Sequence, residues 1–166
     1  MSHQFSKAPA TDEVAERLQK IASGMEQMVT GFFQTWSNLT ITFSDVNNEY
    51  QMEELPEGYA LTSNARNQQV MVLLTRDMLL TTLSAKTSAF EGTLHPQFSP
   101  HEGGLLLKSY DASYKAGTSC QDLSVKIDYQ EIEGLPIPHM VEMVMTLPQG
   151  HMDAPITFTN CKVTKK

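Results

Sequence analysis

The first clear pattern is a stripe of apolar residues that recurs every three or four positions. Its members are Val14, Leu18, Ile21, Met25, Met28 or Val29, Phe32 and Trp36. This spacing puts all of them on one side of an α-helix, whose period is 3.6 residues. Thr11 can cap the amino end, and Asp12 and Glu13 add negative charge where the helix dipole favours it. We therefore predict one long amphipathic helix that starts near residue 11.

The rest of the chain alternates apolar and polar residues over short segments, which is typical of β-strands. The clearest alternation is in "DLSVKIDYQEI", residues 122–132, and "HMVEMVMTL" and "PITFTNCKV" are predicted to follow it as neighbouring strands. Val70–Leu74 is apolar on both faces and predicts a central strand, with a tight turn near Arg76 leading into the next one. "LTITF", residues 39–43, predicts a strand directly after the helix. About eight strands are expected.

One helix followed by strands with short turns predicts an α+β fold. We expect a long N-terminal helix packed on a strongly curved, half-open antiparallel β-sheet or barrel. Residues 1–10 are predicted to be a flexible segment, and 11–166 a single domain. The segment 90–104, with two prolines and three glycines, predicts a long functional loop. Pro136 and Pro138 are expected to mark the entry into a strand, since proline cannot donate to a strand ladder.

Charge and composition exclude several classes of function. The formal net charge is −7, and no cluster of lysine and arginine forms a basic face, so we expect no nucleic-acid partner. No run of eighteen apolar residues is present, which predicts a chain that does not span a membrane. The cysteines Cys120 and Cys161 permit either one disulfide or two free thiols.

No catalytic pattern appears in the sequence. A nucleophile elbow and a phosphate-binding glycine loop are both missing, so we expect no enzyme activity, no catalytic residues and no cofactor. His95, His101 and Glu102 form a weak pattern for a metal, because a metal site needs three or four converging ligands. Solvated histidines explain them better, and no metal site is predicted.

Methionine is the most distinctive residue type. Ten of the 166 residues are methionine, and they concentrate on the helix stripe and on the predicted sheet. Flexible thioether side chains fill irregular gaps in ordinary cores, and they also adapt to varied apolar ligands. The sequence leaves both explanations open, with an ordinary core the more common one.

Three segments carry a resemblance to a known family. "KIDYQEIEGLPIPHMVEMVMTLPQG" followed by "PITFTNCKV" resembles the late strands of the lipoprotein-carrier (LolA/LolB-like) superfamily, and "VAERLQKIASGMEQMV" resembles its first helix. The resemblance implies a half-open barrel with a cavity for acyl chains, and a periplasmic or secreted bacterial protein. In that family additional short helices close the barrel mouth, whereas this sequence predicts only one helix.

Two hypotheses of different class follow. In the first, an exported, non-enzymatic protein holds an apolar ligand, such as an acyl chain or the lipid of a lipoprotein, between the helix and the curved sheet. The residues predicted to line that cavity are Met25, Met28, Phe32, Trp36, Phe43, Val72, Met143, Met145 and Phe158. In the second, the core is fully packed, no ligand is bound, and the protein is an interaction module that uses a sheet edge or the segment 90–104.

Overall fold

The computed structural model describes residues 12–40, 50–65, 68–148 and 150–163. These ranges contain one α-helix and nine β-strands, and the chain divides into two compact units, Met1–Ser44 and Asp45–Lys166. The elements are α1 (Asp12–Thr40), β1 (Gln51–Leu55), β2 (Gly58–Ala65), β3 (Gln68–Thr75), β4 (Leu80–Lys86), β5 (Glu91–His101), β6 (Gly104–Ala116), β7 (Ser119–Ile132), β8 (Leu135–Leu147) and β9 (Gly150–Thr157). The predicted flexible segment 1–10 lies outside the described residues.

The first unit contains the predicted helix. α1 has 29 residues, and aromatic side chains follow one another along its second half. The Phe33 ring meets Phe32 edge-on at 5.2 Å between centroids and Trp36 at 6.2 Å. The helix is longer than predicted, because Leu39 and Thr40 belong to it and not to a strand. No glycine or proline between Phe32 and Thr40 interrupts it, and five alternating residues are a weak strand signal. The remainder of "LTITF" lies outside the described residues.

The second unit is a single antiparallel sheet. Its strands pair strictly in sequence order, from β1 at one edge to β9 at the other. Within the described ranges β1 and β9 are not paired with each other, so the sheet is open. The predicted α+β class, with one N-terminal helix and one open antiparallel sheet, is confirmed. Strong curvature and packing of the helix on the sheet stay predictions.

The alternation of side chains divides the sheet into an apolar face and a polar face. Direct cross-strand partners lie on the same face of an antiparallel sheet, and successive residues lie on opposite faces. The alternate positions Leu123, Val125, Ile127 and Tyr129 of β7 pair with Met145, Met143, Val141 and Pro138 of β8. These positions form part of the apolar face. Four of the apolar-face side chains have no accessible surface: Val72, Leu107, Val125 and Val141.

The prediction of a long loop at residues 90–104 is wrong. Residues Glu91–His101 form β5, which is paired with β6 over its whole length. The prolines are compatible with a strand because β5 pairs with β4 only from Glu91 to Leu94. Among the described residues that side of β5 has no ladder partner beyond Leu94, so Pro96 and Pro100 lie where a missing N–H costs little. The loop shrinks to a turn at residues 102–103.

The other turns follow the sequence closely. The chain turns near Arg76, as predicted, and also at Pro56, and a two-residue turn at Glu133–Gly134 joins β7 to β8. Both of these last residues have positive φ, 53° and 78°, the geometry that matches the twist of a hairpin and that glycine adopts most easily. Pro136 and Pro138 lie in the first residues of β8, before its pairing with β9 begins, which confirms their assignment to a strand entry.

Two strand assignments differ from the prediction. β1, with the sequence QMEEL, was not predicted, because four of its five residues are exposed and no apolar alternation identifies it. The last strand is Gly150–Thr157, so it starts earlier than "PITFTNCKV" and ends before Phe158. An edge strand has only one neighbour, and its side chains are therefore a poor guide to its limits.

β6 and β7 separate at one end of their ladder. Their pairing covers Ser109–Ala116 and Ser119–Lys126, whereas β6 continues to Gly104 and β7 to Ile132 with other partners. The Tyr129 hydroxyl donates a 2.7 Å hydrogen bond to the carbonyl oxygen of Leu107 beyond that point. The side chain therefore replaces a ladder bond where the two strands have moved apart.

Candidate functional site

The apolar face carries one continuous row of apolar residues across the whole sheet. Successive cross-strand partners contribute one residue from each strand: Met52, Leu61, Val72, Leu83, Leu94, Ala112, Leu123, Met145 and Met152. We call this set the apolar row. Its two ends are exposed, at 64% for Met52 and 41% for Met152, and Val72 within it has no accessible surface.

A second, shorter series flanks the apolar row on the later strands. Val125 of β7 lies between Tyr110 of β6 and Met143 of β8, and Met143 pairs with Ala154 of β9. Tyr110, Val125 and Met143 are all buried. The thioethers of Met143, Met145 and Met152 therefore come together on two neighbouring strands at one side of the sheet.

The predicted cavity residues fall into three groups. The register brings Val72, Met143 and Met145 to the apolar face of the sheet. Phe158 follows β9 directly and is half-buried, and its backbone N–H donates a 2.7 Å hydrogen bond to the His139 carbonyl. The third group lies on helix α1. There Met25 is exposed, Met28 and Trp36 are half-buried, and Phe32 is buried.

Phe43 lies outside the described residues. A role of these residues in ligand binding stays a prediction. Sequence reasoning did not identify Met52 and Met152 as members of the apolar row, because both are on edge strands. The methionine in each of these two segments was the sequence feature that could have indicated their place in the apolar row.

The opposite, polar face contains a cavity of about 270 Å³ over strands β5 to β8. The residues that line it are His95, Asp111, Ala112, Ser113, Asp122, Leu123, Ser124, Val144 and Thr146. Two adjacent cross-strand rows supply the polar members. The first runs His95, Asp111, Ser124 and Val144, and the second Thr93, Ser113, Asp122 and Thr146.

The histidine of this cavity is positioned by a neighbouring strand. Its Nδ1 atom lies 3.1 Å from the Thr82 hydroxyl of β4, at hydrogen-bonding distance. His95 was considered at the sequence level only as a weak metal ligand together with His101 and Glu102, which lie at the far end of the β5–β6 hairpin. The aspartates and serines around it were not identified, since cross-strand register is not visible in a single sequence.

The described ranges contain no candidate metal site, disulfide or membrane-spanning helix. No three His, Cys, Asp or Glu side chains within them are grouped as a metal ion would require. Cys120 is exposed and Cys161 half-buried, and both are free thiols. The one helix within those ranges is too polar to cross a membrane.

Comparison with known proteins adds no relative. No family model, no curated protein and no solved structure matches this chain. The functional argument therefore depends on the chain's own residues and on their arrangement in the sheet.

Proposed function

We propose that this protein is a non-enzymatic binding protein for an apolar ligand, such as an acyl chain. The ligand is held on the apolar face of the sheet, with the apolar row as its main contact. The observation that carries the proposal is the continuity of that row across all nine strands, with exposed methionines at both ends.

The residue types suit an extended, featureless ligand. The row contains methionine, leucine, valine and alanine, and none of its members offers a hydrogen bond that would select a polar group. Methionine side chains adapt their shape to different apolar partners. Binding energy would come from removal of apolar surface from water, at about 0.8 kcal/mol for each buried CH₂ group.

The finer form of the proposal follows the family resemblance. A carrier for the acyl chains of lipoproteins would be exported and would act in the periplasm or outside the cell. A net charge of −7 is compatible with a ligand whose lipid part, and not an anionic headgroup, makes the main contact.

The first test is native mass spectrometry of the purified protein, with organic extraction of any bound molecule. A reproducible adduct of lipid mass supports the proposal and identifies the ligand class. In parallel, fatty acids are titrated while the fluorescence of Trp36, the only tryptophan, is followed. No adduct together with no binding of fatty acids by titration calorimetry would contradict the proposal.

Two exposed residues give a matched pair of variants. Met152 on the apolar face is 41% exposed, and Val144 on the polar face of the neighbouring strand is 40% exposed. We expect Met152→Asn to weaken acyl-chain binding at least about fivefold, the loss of one to two buried CH₂ contacts. Val144→Asn should leave it unchanged. Equal effects of the two variants would exclude the apolar face as the binding surface.

A second candidate function is an interaction module without a ligand. The observation that favours it is the absence of any accessible surface at Val72, Leu107, Val125 and Val141, which is typical of a packed core. Its partner would then bind an edge of the sheet, where β1 has a ladder partner on only one side within the part of the chain that the structure describes. Stable partner capture that needs β1 and is unaffected by Met152→Asn would favour this function.

A further inference from the structure

We propose that the outer edge of β1 binds an extended peptide strand in which apolar residues alternate with lysine or arginine. The proposal rests on the second candidate function and gives it a partner of defined chemistry, and it needs no ligand on the apolar face. Three observations carry it: an open backbone edge, an exposed methionine beside that edge, and a glutamate without an ion-pair partner among the described residues.

The backbone of β1 offers two residues to a further strand. A two-residue turn at 56–57 joins β1 to β2, so Leu55 and Gly58 close the ladder as a hydrogen-bonded pair. Hydrogen-bonded and non-hydrogen-bonded pairs alternate along an antiparallel ladder, so Met52 and Glu54 turn their N–H and C=O groups away from β2. Within the part of the chain that the structure describes, no strand pairs with β1 on that side.

The other outer strand of the sheet, β9, is blocked in a way that β1 is not. Counted in the same way from the closing pair Leu147–Gly150, Pro155 of β9 turns its nitrogen away from β8. A proline at such a position leaves the existing ladder intact and removes a donor that a further strand would need. β1 contains no proline, no lysine and no break in its register. Of the two outer edges, β1 is therefore the one that can pair.

The apolar row ends at the open edge. Met52 is 64% exposed, and Leu61 of β2 is its direct cross-strand partner. An apolar residue of an added strand would lie opposite Met52 on the same face and extend the apolar row by one strand. Valine suits this position, because β-branched residues also favour the extended backbone.

The charge of β1 selects a basic strand. Glu54 is already paired with Arg76 at 3.2 Å. Glu53 lies on the opposite face and forms no ion pair with another described residue, and its direct and diagonal neighbours on β2 are uncharged. A lysine or arginine opposite Glu53 would supply the countercharge. A second copy of β1 would instead bring the acidic residues of two strands together, which disfavours self-pairing.

The probe is the acetylated and amidated peptide TVKVKVT, measured by isothermal titration calorimetry and by hydrogen exchange of the protein amides. We expect saturable binding and slower exchange at Met52 and Glu54, with no change at Glu53, whose N–H already bonds to β2. The peptide TVEVEVT should bind at least about fivefold more weakly, the upper end for an exposed ion pair. TVKVKVT with every valine and lysine amide methylated should not bind, because it has no donors for the edge.

Variants of the protein separate the edge from general attraction to an acidic chain. Glu53→Gln should weaken the binding of TVKVKVT up to about fivefold. Glu102→Gln is its control, because Glu102 is exposed in the turn between β5 and β6 and its loss changes the net charge equally. Met52→Pro should abolish binding, since it removes an outward N–H and keeps the ladder to β2, whereas Met52→Val keeps that N–H and should still bind. The amide spectrum of each variant confirms that it is folded.

The outcomes distinguish the partner from the edge. Equal affinities for TVKVKVT and TVEVEVT, or equal losses in Glu53→Gln and Glu102→Gln, would overturn the basic partner and leave the second candidate function standing. No binding of either peptide, exchange protection outside β1, or undiminished binding of the methylated peptide would overturn both. A dimer of the protein that Met52→Pro converts to a monomer would overturn the proposal in favour of a second copy as the occupant.

Discussion

Replacement of Val141 by alanine tests the division of the sheet into two faces. Val141 lies on the apolar face of β8 between Ile127 and Ile156, and it has no accessible surface. The substitution removes two carbon groups, which corresponds to about 1.6 kcal/mol of transfer free energy at about 0.8 kcal/mol per group. The cavity that remains adds to this cost. We therefore expect a loss of about 2–3 kcal/mol in the free energy of unfolding.

Val144→Ala is the matched control for this substitution. Val144 is three residues further along β8, on the polar face, and it is 40% exposed. The same atoms are removed there from a site that already contacts water, so a loss of about 0.5 kcal/mol is expected.

The assay is urea unfolding followed by far-ultraviolet circular dichroism. Both variants should keep the wild-type dependence of stability on denaturant, so that a shift of the midpoint reports stability alone. A slip of one residue in strand register exchanges the two faces completely. Equal losses, or a larger loss for Val144→Ala, would therefore refute the register described for β7, β8 and β9.

Two further substitutions test local features of the sheet. Gly58→Ala should destabilise the protein by about 2–3 kcal/mol, because the added Cβ would overlap a backbone carbonyl of β3. Gly92→Ala is its control, since the nearest atom lies at an ordinary 3.7 Å, and similar unfolding midpoints for the two variants would contradict the close approach at Gly58. Tyr129→Phe removes the hydrogen bond to β6 and should cost about 1 kcal/mol. Tyr114→Phe should cost much less, since Tyr114 is exposed and its hydroxyl bonds to no described residue. Equal midpoints of the two variants in thermal unfolding would count against the Tyr129 hydrogen bond.

The sequence predicted the elements whose periodicity is long and regular. α1 has an apolar residue every three or four positions over about six turns, and β7 alternates over eight residues, so each pattern has few alternatives. Glycine at position 134 also suits the turn found there, since glycine favours positive φ. The α+β class follows directly from these elements.

The wrong strand predictions have a common physical cause. Whether a segment forms a strand depends on the strands that pair with it, and the sequence of the segment alone does not show these. Pro96 and Pro100 argued against a strand, and they are accommodated only because β4 stops pairing with β5 at Leu94. The sequence of β1 carries no alternation, and its position next to β2 defines it as a strand. The cavity around Asp111 depends in the same way on the register of four strands.

The apolar row and the cavity on the polar face meet at the backbone of the same strands. Ala112 and Leu123 belong to the apolar row through their side chains, yet both also line the polar cavity. Since successive side chains of a strand alternate between faces, their contribution to the cavity comes from main-chain atoms. A substitution at Leu123 would therefore disturb both faces at once and could not assign an effect to one face. Met152 lies on the apolar face only, so a loss of acyl-chain binding in Met152→Asn without any loss in Val144→Asn would assign the binding to that face.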